Sequence, residues 1–471
     1  MNFSAWKQKW CTAVCGLLTL LVLTGSPALS VAADTDSAWP EAPDIKAPGA
    51  VVMEAETGSI LYNKNAYDVF YPASTTKLMT ALLAIEQAPL TDLVTCSHDA
   101  IYSIGWDSSR IGLVEGEQIS MEDALYAILL ASANEVCYAV AEQLGGTVGN
   151  FVSMMNQRAT DLGCLNTHFM NPHGLDDPDH FTCPYDLALI ARQAIQYTTF
   201  RRISGSYYHQ IPATNKNVAR DIGNTHLIIR KRIKYDGVFA GKTGHTSTAG
   251  NALVTCAERD GLTLICVVMK ESVQDDAYSD TMALLDYAFQ NFGLYDISSS
   301  AVNSDNAFPV LFEDGDAFIS EVSSPLSISN TTLVLPIGAS YEDVEKRFSL
   351  TPLTSFVQGE NRIGTVSYYY TDVYVGSAEI IYNSPEEVAP EPSAAPEQTT
   401  PATDATATPA VTSPAGTVGI GASETATDDL RPMIIGIAVF LITFLLLFYL
   451  VFIELPYRRK RKTYRNRQRM H

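Results

Sequence analysis

The chain has 471 residues with 46% apolar and 10% aromatic content, which is ample for real hydrophobic cores and excludes a largely disordered protein. Its formal charge of −21 excludes nucleic acid and anionic surfaces as partners of the bulk of the molecule. The acidity is concentrated: residues 34–432 carry 21 basic and 51 acidic side chains, a formal −30.

Residues 1–33 begin with Lys7 and Lys9, continue as an uncharged apolar run from Trp10 to Leu23, and end in small residues about Ala32 and Ala33. This predicts a cleaved secretory signal, because the apolar run is short for a membrane span. From 45 to 295, strand-like runs (Gly49 to Ala55, Ser59 to Asn63, Asn251 to Cys256, Thr263 to Met269) enclose helical patterns at Leu78 to Ile85 and Met121 to Leu144. That alternation predicts an α+β domain, with turns at Glu56-Thr57-Gly58 and Arg259-Asp260-Gly261. Residues 296–384 change to short β-rich pieces, Leu333 to Leu335, Thr365 to Tyr370, Val373 to Val375 and Ala378 to Tyr382, and predict a small all-β domain.

Residues 385–432 are rich in Pro, Ala, Thr, Ser and Glu and predict a disordered tether, which as a flexible coil spans roughly 35 to 40 Å. The charge-free run 433–453 is long enough to cross a bilayer as a helix. The tail 454–471 holds Arg458, Arg459, Lys460, Arg461, Lys462, Arg465, Arg467 and Arg469, which by the positive-inside rule places the C-terminus in the cytoplasm. The expected location is therefore the cell membrane, single-pass, with the folded part outside. Cys96, Cys137, Cys164, Cys183, Cys256 and Cys266 remain after signal removal, and their spacing leaves the redox state open.

Three short motifs carry chemistry. Ser74 and Lys77 stand three residues apart before an apolar helix, so one helical turn brings a hydroxyl beside an amine. A serine needs a base, and a lysine serves when burial or a second cation lowers its pKa. Alone, such a spacing arises by chance about once in a chain this long. Ser132-Ala133-Asn134 places polar groups within an apolar helical region, where they need partners or line a site, although a capping Ser and Asn would read the same way. Lys242-Thr243-Gly244 opens a strand and hairpin; its Lys and Thr suit a substrate carboxylate, and its Gly allows a ligand backbone close approach. Order and spacing of the three together argue against coincidence. A literal Ser304-Asp305-Asn306 follows the third motif in a polar junction and is set aside as a decoy.

SxxK, SxN and KTG in this order are the signature of penicillin-binding proteins and serine β-lactamases. The stretches "PASTTKLMTALLAIE", "SANEV", "NPHGLDDPDHFT" and "GKTGHTSTAGNALV" closely resemble the low-molecular-mass D-alanyl-D-alanine carboxypeptidases, from about residue 47 to 290. The β-rich segment after it is similar, more loosely, to the domain that follows in those enzymes. The resemblance implies a penicillin-binding-protein/serine β-lactamase-like transpeptidase fold followed by a small all-β domain. It implies that Ser74 attacks the bond between two terminal D-alanines, with Lys77 as base and Ser132 relaying a proton to the leaving amine. Asn134 would contact the substrate amide, Lys242, Thr243 and Gly244 would bind the terminal carboxylate end, and backbone N–H groups of Ser74 and His245 would form the oxyanion hole. Peptidoglycan pentapeptide is then the substrate, β-lactams are inhibitors, and no metal or cofactor is expected. Departures from the family pattern are Glu135-Val136, where Asp-Ala is frequent, and His226, where a second Asn is common.

Rival readings are a DD-endopeptidase, a serine β-lactamase, and a penicillin-sensing or wall-binding module. The module would have lost a catalytic residue, and a sensor needs more than the few residues after the span. A metal site at His173, Asp176, Asp177, Asp179 and His180 competes with ordinary turn chemistry and lacks metal-ligand helix spacing. Class A β-lactamases use a loop glutamate to deacylate; here residues 143–257 contain no glutamate. Asp176 and Asp186 are the remaining carboxylates of interest in that interval.

Overall fold

A computed structural model describes residues 39–297, 326–350 and 359–384. The signal segment, the Ser304-Asp305-Asn306 triplet, the tether, the apolar run 433–453 and the basic tail lie outside the described residues. Among the described residues no helix is long and apolar enough to cross a membrane.

The centre is a five-stranded antiparallel sheet in the order β2-β1-β9-β8-β7. Its strands are β1 (Gly49–Glu54), β2 (Ile60–Lys64), β7 (Val238–Thr246), β8 (Gly250–Arg259) and β9 (Leu262–Glu271). Side chains alternate between two cores, as the period of two requires. Val51, Met53, Val254, Cys256, Ile265 and Val267 enter one core, whereas Ala50, Val52, Leu253, Leu264, Cys266 and Val268 enter the other. The first core is filled by α1 (Lys77–Gln87), α2 (His98–Tyr102), α3 (Met121–Leu129), α4 (Asn134–Gly145), α5 (Val148–Asp161), α6 (Pro184–Ala194) and α7 (Thr198–Ser204). The second is covered by α8 (Gln274–Asn291), through Tyr278, Leu284, Leu285 and Ala288. Two short hairpins, β3 (Leu93–Thr95) with β4 (Gln118–Ser120) and β5 (Tyr208–Ile211) with β6 (Arg220–Gly223), flank the helices.

The helical pattern Met121 to Leu144 is interrupted. It forms two helices, because Ser132 adopts φ +60° and Ala133 is extended, a pair of conformations no helix accommodates. The KTG triplet does not open a strand either; it lies within β7, four residues after that strand begins.

After α8, β10 (Phe292–Asp296) pairs with β12 (Thr332–Pro336), and β11 (Leu326–Ser329), β15 (Val373–Ser384), β14 (Gly359–Tyr370) and β13 (Glu345–Leu350) make a four-stranded sheet. These strands share a third core containing Leu333, Leu335, Val366, Tyr368, Val375 and Ile380. Val373 to Val375 and Ala378 to Tyr382, read from sequence as two pieces, are one strand. All six described cysteines are buried free thiols. Burial pushes Cys137 up to about 11 and Cys96, Cys183 and Cys256 up to about 12, so they remain unreactive packing residues.

Candidate active site

Ser74 lies in a single 3-10 turn, Ala73–Thr76, that runs into α1. The turn is built by its own side chains. Thr75 Oγ1 donates to Pro72 O at 2.7 Å and Thr76 Oγ1 to Ala73 O at 2.8 Å. Ala73 is held at φ +48°, a left-handed conformation uncommon for a residue with a Cβ and concentrated at functional sites.

One turn on, Lys77 is fully buried, and its Nζ meets three acceptors: Ser74 Oγ at 2.9 Å, Asn134 Oδ1 at 2.7 Å and His173 O at 2.5 Å. Burial lowers its pKa to about 8, with Cys137 and Glu135 opposing the shift. An ammonium donates to all three acceptors. Once neutral, the amine keeps two donors for Asn134 and His173 and turns its lone pair to the Ser74 hydroxyl, which is the arrangement of a general base.

Ser132 occupies the break between α3 and α4, and its Oγ accepts from Lys242 Nζ at 3.2 Å. Lys242 also donates to Thr243 O at 2.8 Å. It is 1% exposed, and burial, reinforced by the neighbouring charge of Lys77, pulls its pKa well below the lysine range. Two lysines sharing one dry site each favour the other's neutral form. Asn134 heads α4, held by its backbone N–H to Ser109 O at 2.9 Å.

β7 is an outer strand of the sheet, and its Gly244 lies against the nucleophile turn. A Cβ there would stand 2.9 Å from Pro72 O and 3.1 Å from Thr75 N, so only glycine permits this approach. Ser74, Ser132, Asn134, Thr243, Gly244 and His245 all line one cleft of about 1050 Å³. Lys77 and Lys242 sit beneath its wall. The structure thus brings together every residue that the three motifs nominated, with the two lysines as buried supports.

Residues 168–182 contribute what the sequence did not reveal. The His173 carbonyl is a Lys77 partner, Pro172 O accepts from Thr80 Oγ1 at 2.6 Å, and Asn171 Oδ1 accepts from Gly174 N at 2.7 Å. A Cβ on Gly174, which has φ +86°, would fall 1.8 Å from Ala73 O. His180 Nδ1 accepts from Met170 N, so its proton resides on Nε2 and is donated to Thr76 Oγ1 at 2.8 Å. Burial lowers His180 to about 4 and His173 to about 3, which keeps both neutral. The loop buttresses the nucleophile turn. Among the described residues no group of three or more His, Cys, Asp and Glu is placed to hold a metal ion.

The two departures from the family pattern are each bonded through one atom, while Glu135 Oε2 and His226 Nδ1 are buried without a partner. Glu135 Oε1 accepts from Ile111 N at 2.8 Å and Gly112 N at 3.1 Å, tying down the loop that presents Ser109. His226 Nε2 bonds Thr255 Oγ1 at 2.9 Å under β7, and burial lowers its pKa to about 3.

Comparison with known proteins agrees with this geometry. Residues 36–273 match the D-alanyl-D-alanine carboxypeptidase family. D-alanyl-D-alanine carboxypeptidase DacF of Bacillus subtilis is 29% identical over 356 residues, 74% of this chain and 88% of that protein. DacA of Haemophilus influenzae is 33% identical over 276 residues, 56% of this chain and 67% of its own length. Among solved structures, penicillin binding protein 5 of Haemophilus influenzae superposes with TM-score 0.57 at 26% identity, covering 73% of this chain and 98% of that one. The Streptomyces K15 DD-transpeptidase does so with TM-score 0.51 at 29% identity, covering 53% and 100%. Matched to that family over half of its length and sharing the fold of these enzymes, the chain belongs to the D-alanyl-D-alanine carboxypeptidase family.

Proposed function

We propose that this chain is a serine-type carboxypeptidase that removes the terminal D-alanine from peptidoglycan pentapeptides through an acyl-enzyme on Ser74. The observation that carries the reading is the buried Lys77 amine, its pKa lowered and its Nζ bonded to three acceptors, 2.9 Å from the Oγ of Ser74, which lines an open cleft. The Ser74 proton passes to Lys77 Nζ as Oγ bonds to the carbonyl carbon of the penultimate D-alanine. Backbone N–H groups of Ser74 and His245 receive the oxyanion. The C–N bond then breaks as the proton taken up by Lys77 is relayed through Ser132, oriented by Lys242, to the leaving amine, which releases D-alanine and returns Lys77 to the neutral amine. Water next attacks the ester and gives a proton to Lys77, and Ser74 departs as a hydroxyl. A β-lactam offers a strained acyl group to the same nucleophile, so penicillin is an inhibitor.

The test is release of D-alanine from a peptide ending in D-Ala-D-Ala, measured beside the same peptide with a C-terminal amide. Turnover of the acid at least tenfold faster is expected. Equal turnover of the amide overturns the carboxypeptidase reading and favours a DD-endopeptidase.

The cell-wall role carries a location: a catalytic domain outside the cell membrane, single-pass, with residues 454–471 in the cytoplasm. The signal-like residues 1–33, the charge-free run 433–453 and the eight basic residues after it support this topology. Protease added to intact cells is expected to cut within 385–432 and release active enzyme. Protection of that segment in intact cells contradicts it.

A further inference from the structure

The loop beside the cleft carries a row of exposed aromatic side chains that the mechanism does not use. His98, Tyr102 and Trp106 stand four residues apart, the first two on one face of α2 and the third in the turn that follows it. Ring centroids are 4.5 Å apart for His98 and Tyr102 and 6.2 Å apart for Tyr102 and Trp106. Arg110 ends the row, its guanidinium 4.5 Å from the centre of the Trp106 ring. Water meets these rings directly, since Tyr102 is 55% and Trp106 71% exposed.

The row is held in place from below. Arg110 donates to Ile101 O at 2.6 Å and to Ile104 O at 3.0 Å, tying the loop on which Trp106 stands. Ser97 Oγ accepts from Ala100 N at 3.0 Å and donates to Glu142 Oε2 at 2.6 Å, which docks α2 on α4. His98 Nδ1 lies 3.0 Å from Glu115 Oε2 at the far end. A tryptophan fixed in water beside a second ring forfeits its burial and forms a contiguous apolar patch, the mark of a contact surface.

Its position names the occupant. Asp107, Ser108 and Ser109 follow Trp106 directly and line the catalytic cleft, and Ser109 O accepts from Asn134 N at 2.9 Å. Three residues span at most about 11 Å, so the row starts within that distance of the cleft wall that holds Asn134. In a pentapeptide cut before its last residue, the first residue lies three residues upstream of the attacked carbonyl, roughly 10 Å along an extended chain. The sugar ring that bears the peptide is therefore within reach of the row. A pyranose presents a face of C–H groups edged by hydroxyls, and the negative face of an aromatic ring attracts such a face. The exposed Ser103 and Asp107, on either side of Trp106 in the chain, offer hydrogen bonds to the hydroxyl edge.

We propose that Tyr102 and Trp106 form a stacking platform for the sugar ring that carries the stem peptide, so that the enzyme takes the glycan-linked pentapeptide in preference to the free one. This assignment rests on the proposed carboxypeptidase function and deepens it, because it names the form in which the substrate is recognised. Binding energy gathered at this remote end then serves the reaction at Ser74.

The experiment compares kcat/KM of the full-length wild type, Trp106→Ala and Trp106→Phe on N-acetylglucosaminyl-N-acetylmuramyl-pentapeptide and on the same pentapeptide without sugar. The wild type should favour the sugar-linked form about 3- to 10-fold, the range of one aromatic contact. Trp106→Ala should bring that ratio to about one, and Trp106→Phe should keep part of it. A wild-type ratio of one, or a ratio that Trp106→Ala leaves unchanged, overturns the assignment. Binding is read separately in Trp39→Phe, where Trp106 is the one tryptophan beyond residue 10. The peptide-free disaccharide, which holds no bond to cut, should shift its emission, and an unshifted emission overturns the platform. If the wild type releases no D-alanine from either substrate, the functional reading fails, and this titration still decides Trp106. Sedimentation in which Trp106→Ala turns a dimer into a monomer would assign the row to a contact between copies and likewise contradict it.

Discussion

Lys77→Met is expected to slow acylation of Ser74 by benzylpenicillin about 10³-fold, within the range that a positioned general base contributes. Methionine matches the length of lysine and suits a dry site, but it cannot accept the Ser74 proton. It also strands Asn134 Oδ1 and His173 O, so a stability loss of about 1–3 kcal/mol for each buried unpaired group accompanies the kinetic defect. A thermal melt separates the two effects. The pH profile supplies a signature that a folding defect lacks. Burial places Lys77 near 8, below the ordinary lysine value, so the amine form is populated above that pH and falls away beneath it. The wild-type acylation rate should therefore rise about tenfold per pH unit up to about 8 and then level, and the limb should vanish in Lys77→Met. A flat wild-type profile, or a limb that survives in the variant, removes Lys77 from the role of base.

The penicilloyl-enzyme is expected to be long-lived, giving a burst of one acylation per enzyme followed by turnover slower by about 10³-fold or more, as expected where a general base for water is missing. Residues 143–257 lack glutamate, and no glutamate lines the cleft. The two aspartates that sequence left as candidates are each held by hydrogen bonds, Asp186 outside the cleft lining and Asp176 within it. Asp186 is buried, accepting from Asn166 N and Thr167 Oγ1 at 2.7 Å each, and Asp176 is bonded to Thr246. Glu135 is committed to the backbone of Ile111 and Gly112. Deacylation thus falls to Lys77, which a bulky adduct on Ser74 screens from water. Sustained rapid hydrolysis of benzylpenicillin would contradict this and favour the β-lactamase reading.

The pairing of Ser74 with Lys77 was legible in sequence because it is local. A three-residue spacing on a helix dictates proximity, and the sheet strands announced themselves by alternation. What escaped depends on long-range contact or on backbone. The helix break at Ser132 arises from a left-handed serine, which propensity alone does not flag inside an apolar run. The support from His173 is a carbonyl, and that from Gly174 is the absence of a side chain, so neither carries a residue-type signature. Burial of Lys242 became visible only once β7 was packed beneath the cleft wall. The β14–β15 hairpin was read as short fragments because its turn, Thr371-Asp372, has both residues at positive φ without the usual Asn-Gly.

The central claim is that Ser74 is the acylated nucleophile. Intact-mass analysis of the purified protein after benzylpenicillin, with peptide mapping of the adduct, tests it most directly. The wild type should gain one penicilloyl group on the peptide containing Ser74, and Ser74→Ala should gain none. An adduct on another residue, or one that persists in Ser74→Ala, would contradict the account.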